Sequence, residues 1–130
     1  DWGIKNVTIK PSIPQSQYCE LLTQVDVGLI SLSSKHSAHN FPGKLLGYMT
    51  ESLPILGSVN AGNDVTDYIN SNNAGFICVT GQDTELRNSA IKLLESSELR
   101  ATLGSNARRL LIKHFSVENA AKQILEEFNG

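Results

Sequence analysis

Seven polar residues between positions 33 and 40, Ser33, Ser34, Lys35, His36, Ser37, His39 and Asn40, lead into Phe41-Pro42-Gly43-Lys44. A short run with Leu45, Leu46, Tyr48 and Met49 at helical spacing follows. A polar loop that delivers a chain into a helix start is a natural anion site, because the first turn of a helix has backbone N–H groups without intrahelical partners. Pro42 surrenders one such donor, and Gly43 lets a ligand approach the backbone closely. A lysine at the positive end of a helix dipole is unfavourable by a few tenths of a kcal/mol, and a bound phosphate reverses that sign. The spacing leaves two readings of Lys44 open: a phosphate contact, or a side chain that simply points into water.

Other chemistry finds less support. No two glycines lie two apart, so a G-x-G-x-x-G dinucleotide fingerprint cannot be written. Gly57 and Gly62 have the spacing of a P-loop, but Asn63-Asp64 stands where the lysine and hydroxyl residue are required. His36 and His39 lie three apart without a third ligand nearby, so no metal site is expected. His114 follows Arg108, Arg109 and Lys113 at a helix end, where it meets the dipole favourably. Ser31 and Ser58 sit in no G-x-S-x-G elbow. Asp26 precedes its strand, which disfavours a phospho-accepting receiver. No catalytic residue is assigned.

The elements that must position these residues read as an alternation. Strands are predicted at Val7–Lys10, Val27–Ser31, Pro54–Ser58 and Gly75–Thr80, and helices at Pro14–Gln24, Pro42–Ser52 and Asp64–Asn72. Each strand is a continuous apolar run, the pattern of a parallel sheet covered on both faces, and the fold class is therefore doubly wound α/β. Three helices close the chain. One runs from Thr84 to Ser97 behind Asp83 as N-cap, one from Glu98 to Lys113 with Gly104 inside it, and one opens at Ser116 with Val117, Ala120, Ala121, Ile124, Leu125 and Phe128 in one stripe. In such a sheet ligands bind beyond the carboxyl ends of the strands, here the loops Leu32–Phe41, Val59–Asn63 and Gly81–Asp83.

Composition narrows the partners. The chain has 130 residues, 40% of them hydrophobic and 18% charged, the balance of one globular domain. Eleven basic residues against thirteen acidic give a net charge of −2, so no overall positive field draws nucleic acid or an anionic membrane. Cys19 and Cys78 read as buried reduced thiols in a cytoplasmic protein. No apolar run has the roughly 18 residues of a membrane span, and the sequon at Asn6 reads as accidental.

Taken in order, NVTIKPSIPQSQYCELLTQVDVGLIS, FPGKLLGYMTESLPILGS and the segment from NNAGFICVT to ILEEF resemble the C-terminal, donor-binding half of retaining glycosyltransferases of the two-Rossmann-domain (GT-B) architecture, family four in particular. The specific points are Asp26 with its strand, Phe41-Pro42-x-Lys44 to Met49, Pro54 with its strand, and Leu99-Arg100…Leu103-Gly104…Ala107-Arg108…Phe115-Ser116. The resemblance implies a nucleotide-sugar donor site. The Asn40 and Phe41 amides face the sugar, the Gly43, Lys44 and Leu45 amides face the diphosphate, and the Lys44 ammonium meets the phosphate charge. In the family a glutamate precedes the Phe-Pro step and a second, eight residues on, holds the ribose; His39 and Gly47 occupy those positions here. Glu51 is one turn beyond Gly47, about 6 Å further along the axis. The departure is similar to a branch that builds bacterial surface polysaccharides such as lipopolysaccharide O-antigen.

The function implied is a metal-independent, retaining transfer of a sugar from a nucleoside diphosphate sugar, expected to be a UDP-sugar, to a glycan or lipid-linked acceptor. No further cofactor is implied. By the same resemblance, residues 1–130 are a partial donor domain, inactive alone, without the acceptor domain and the Gly-rich start that carries a basic pair; the location is cytoplasmic, peripheral to the inner membrane face through the missing domain. Two other readings stay open: a nucleotide-sugar 2-epimerase of the same architecture, and a non-catalytic α/β module for protein contacts.

Overall fold

The computed structural model describes residues 5–32 and 43–115. In chain order these form α1 (Gln15–Leu22), β1 (Gly28–Ser31), α2 (Gly43–Thr50), β2 (Ile55–Val59), α3 (Asp64–Ser71), β3 (Gly75–Val79), α4 (Asp83–Glu95) and α5 (Ser97–Phe115). The three strands pair in parallel in the order β1-β2-β3, with Gly28 opposite Ile55 and Ile55 opposite Gly75.

Sequential parallel strands joined by right-handed crossovers place α2 and α3 on one face of the sheet. There Leu45, Met49, Val65 and Ile69 pack on Ile30, Ile55, Val59 and Ile77, and α5 adds Ala107 and Leu110. α4 folds back over the opposite face, where Leu93 meets Leu56 and Phe76. Successive residues such as Ile55 and Leu56 thus enter different layers, which is why the strands read as unbroken apolar runs. The architecture is the doubly wound, Rossmann-like α/β arrangement that the sequence predicts.

α2 and α3 enter their following strands by the same device. Ser52 and Asn73 each adopt positive φ, 56° and 52°. Behind α2 the Ser52 N–H donates to the Met49 carbonyl and the Leu53 N–H to that of Tyr48; behind α3, Asn73 and Ala74 repeat the pattern with Asn70 and Ile69. This is the Schellman closure. It turns the chain sharply enough to bury Leu53 and Ala74 at the strand entrances.

Several expectations are corrected. Val7–Lys10 is not a strand: the segment is irregular, and Ile9 is 92% exposed. Strand propensity counts only where a ladder and a packed face exist, and this segment finds neither among the described residues. One sheet edge is occupied by side chains. The Asn70 amide both accepts from the Ile77 N–H and donates to the Ile77 carbonyl, and Gln82 Oε1 accepts from the Val79 N–H, each at 2.9 Å. Asp83 opens α4 as its first helical residue, with Gln82 at the N-cap position. Cys19 is exposed and Cys78 buried, both as free thiols. The helix predicted from Ser116 lies outside the described residues.

Gly104 sits where α5 crosses the turn after α2. A Cβ there would run into the Ser52 carbonyl and come within 3.5 Å of Pro54 Cδ. Gly104→Ala should therefore destabilise the domain by about 1–3 kcal/mol as an overpacked contact, although alanine is the better helix former by about 1 kcal/mol. Urea denaturation checks it, and a variant more stable than the parent would show that α5 does not pass so close.

Candidate functional site

The site is built on α2. Its inward stripe, Leu45, Tyr48 and Met49, is buried, and Leu45 and Met49 are fully so. The Tyr48 hydroxyl donates to the Leu29 carbonyl at 2.8 Å and pins the helix to β1. At the far end of α2 the Arg108 guanidinium of α5 donates to the Thr50 carbonyl at 2.5 Å, meeting the negative end of the helix dipole. The opposite stripe, Lys44, Gly47 and Glu51, follows the helical spacing i, i+3, i+7.

That outer stripe faces α1. A groove of about 510 Å³ runs between the two helices, lined by Gln15, Tyr18 and Leu22 on one side and by Lys44, Gly47, Thr50 and Glu51 on the other. Gly47 sets the approach: a Cβ would come within 3.1 Å of Leu22 Cδ1 and 3.9 Å of Tyr18 Cε1. Absence of a side chain at this position lets α1 lie close and leaves the groove floor open.

The first turns of the helices differ in charge. α3 carries Asp64 and Asp67 there, α4 carries Asp83 and Glu85, and α5 carries Glu98, each favourable at the positive end of a dipole. α2 has no acid in its first turn and has Lys44 instead. Lys44 is exposed and makes no ion pair among the described residues. The N–H groups of Gly43, Lys44 and Leu45 are in the turn where helix geometry provides no acceptor.

Of the residues singled out in the sequence, Lys44 lies at the groove. Leu45 is a core side chain, so it can serve a ligand only through its backbone. His39, Asn40 and Phe41 lie outside the described residues, as does His36. Leu46, predicted with the apolar stripe, is 40% exposed and lines the groove instead. Asn60 and Asn63, at the end of β2, are buried and used structurally: Asn63 Nδ2 donates to Asn60 Oδ1 at 3.1 Å, while Asn63 Oδ1 accepts from the Val65 N–H at 2.9 Å and caps α3. Gln15 and Tyr18 were not singled out; only the packing of α1 on α2 brings them to this groove.

A second cavity of about 380 Å³ opens between β3 and α4, lined by Cys78, Glu85, Ser89 and Lys92 among others. Within it the Lys92 ammonium lies 5.8 Å from the centre of the Phe76 ring, which lines the same cavity. Burial and then the Glu85 carboxylate push the Cys78 thiol pKa up, which makes it a poor nucleophile. No helix among the described residues is long and apolar enough to cross a membrane.

A lysine-bearing helix start beyond a parallel strand, on a Rossmann-like sheet, has the form of a phosphate-binding site. The family model described as glycosyl transferases group 1 matches residues 3–110, and the chain belongs to that family. Among curated proteins it is similar to the N-acetyl-alpha-D-glucosaminyl L-malate synthase of Bacillus anthracis, 30% identical over 124 residues. Those residues are 92% of this chain and 31% of the relative, so the chain spans about a third of that protein's length. No solved structure matches.

The Tyr48 anchor has a pH signature. Burial, then the neighbouring Tyr18 hydroxyl, raises the Tyr48 pKa from 10.0 to about 12. A raised acid stabilises the fold below its unfolded pKa and ceases to do so as pH rises through the folded one. Stability should accordingly fall between about pH 10 and 12. In Tyr48→Phe that part of the fall should be missing, from a lower starting stability. Thermal melts across this range, read beside tyrosinate absorbance, check it; an unchanged alkaline profile in the variant would remove Tyr48 from the account.

Proposed function

We propose that this chain forms the donor-binding part of a retaining glycosyltransferase that moves a sugar from a nucleoside diphosphate sugar to a glycan or lipid-linked acceptor, in the building of a surface polysaccharide. The observation that carries the reading is the first turn of α2, where a lysine stands at the positive end of the dipole without a compensating acid. A diphosphate there is met by the free amides of Gly43, Lys44 and Leu45 and by the Lys44 ammonium. The family match supports a transferase over an epimerase or a protein-contact module.

The chemistry asked of these groups is electrostatic. As the glycosidic bond to the donor breaks, negative charge grows on the departing diphosphate, and fixed donors aimed at that position lower the barrier without reorganising. Lys44 is a mobile point charge on a flexible stem, while the helix amides are rigid; the second set orients and the first neutralises. UDP is the donor nucleotide we favour. The relative's name makes it a synthase of N-acetyl-alpha-D-glucosaminyl L-malate, which makes a small acid a further acceptor class to test beside glycans.

The test is a titration of the isotopically labelled chain with uridine, guanosine and adenosine diphosphates and with inorganic pyrophosphate, read at the amides of Gly43, Lys44 and Leu45. These signals should move, and Lys44→Ala should weaken the affinity about tenfold, or about 1.4 kcal/mol. Amides that stay fixed at millimolar ligand would sink the proposal.

A further inference from the structure

We infer that the exposed face of the second half of α5 docks on an anionic lipid surface, through Arg108, Arg109 and Lys113 with Ile112 among them. The inference goes beyond the donor reading and does not depend on it, since it concerns the opposite end of α2 from Lys44. There the Arg108 guanidinium meets the Thr50 carbonyl, about 9 Å along the helix axis from Lys44.

The first ground is a segregation of charge. The chain is acidic as a whole, yet from Leu99 to Val117 it has four basic residues, Arg100, Arg108, Arg109 and Lys113, and no acid. Leu103, Ala107 and Leu110 form the buried side of α5. At 100° per residue, the exposed residues Thr102, Ser105, Arg108, Arg109, Ile112 and Lys113 fall within an arc of roughly 140° on the other side. Ile112, 57% exposed, lies on this arc between Arg108 and Arg109. None of the three cations has an ion pair among the described residues: Arg108 donates to the Thr50 carbonyl, Arg109 donates to Asn106 Oδ1 at 3.4 Å, and the Lys113 ammonium makes no hydrogen bond among them. Arg109 and Lys113 border a hollow of about 220 Å³ with Asn72 and Asn106, so the end of α3 brings an amide there instead of an acid.

The second ground is shape. The cations stand on the convex surface of a helix, spread over about 8 Å of its axis, and a planar array of phosphates meets all of them at once. An acidic peptide would need a channel along the helix, and the hollow beside Lys113 is too small to be one. An apolar side chain among cations also suits a bilayer, where it enters the boundary between headgroups and acyl chains. The long stems of Arg and Lys keep their charged ends at the phosphates while Ile112 goes deeper. Each basic residue near an anionic leaflet strengthens binding about fivefold, so three give about a hundredfold. The net charge of −2 does not cancel this. The acids in the first turns of α3 and α4 follow the carboxyl ends of β2 and β3, away from Thr50, and salt screening over about 8 Å weakens their reach.

Co-sedimentation of the chain with vesicles of pure phosphatidylcholine, and of equimolar phosphatidylcholine and phosphatidylglycerol, tests the docking. The chain should partition onto the anionic vesicles about a hundredfold more strongly, and rising salt should remove the difference. Arg109→Gln combined with Lys113→Gln should lower that partition about twentyfold, while Arg109→Lys should retain it. Ile112→Ser should lower it about fivefold and leave its salt dependence in place. Equal partition onto both vesicles, no partition onto either, or a double variant that binds like the parent overturns the inference. Lack of pyrophosphate binding by the parent would sink the donor reading and leave this one standing. The substituted side chains are exposed and Arg108 stays in place to hold α2, so circular dichroism and melting temperature should match the parent.

Discussion

The seating of α2 governs the rest of the site. Leu45 and Met49 are fully buried against the sheet, and each such side chain contributes about 1.5–3 kcal/mol through burial alone. The Tyr48 hydroxyl adds a directional bond to the Leu29 carbonyl, and the Schellman closure at Ser52 fixes where the helix stops and β2 begins. With the inner stripe buried, Lys44, Gly47 and Glu51 come to line the groove beside α1. An eight-residue helix would be marginal alone in water. Tertiary packing is what stabilises it.

The electrostatics of this helix oppose its stability. Elsewhere in the chain, first-turn acids complement the dipoles, and Arg108 does the same for the carbonyl end of α2. The local conflict at Lys44 and Glu51 is small beside the burial of the inner stripe, so the fold tolerates it. Such a conflict is removed when a ligand of opposite polarity binds, and that is the form of binding energy that can favour a charge-separating step. The family match places the chain among the group 1 glycosyl transferases, whose donors are expected to carry the diphosphate that this helix start suits.

Much of the architecture was legible because its cause is local. Continuous apolar runs at β1, β2 and β3 and helical spacing in α2 to α5 led directly to the doubly wound sheet, and Leu45, Tyr48 and Met49 were recognisable as one stripe. Val7–Lys10 was misleading for a reason that propensity cannot hold: the segment has the residues of a strand and no edge to pair with among the described residues. Leu46 and Cys19 were assigned inward by hydrophobicity, yet both belong to the groove, since a helix that meets another over a glycine leaves some apolar surface at the margin of the contact.

The candidate site was half legible. Residue order was enough to mark Phe41-Pro42-Gly43-Lys44 as the approach to a candidate anion site at a helix start, because capping geometry and dipole sign depend on a few neighbouring residues. It left Lys44 divided between a ligand and water, and it placed Glu51 one turn beyond Gly47. Gly47 allows α1 to come within contact of α2, and the groove that results extends past Gly47 to Glu51, joining two charges that the sequence presents seven positions apart. Local chemistry therefore determined the charge and the open amides at the start of α2; the groove along it depended on the close approach of a second helix, a contact between residues more than twenty positions apart that no local pattern encodes.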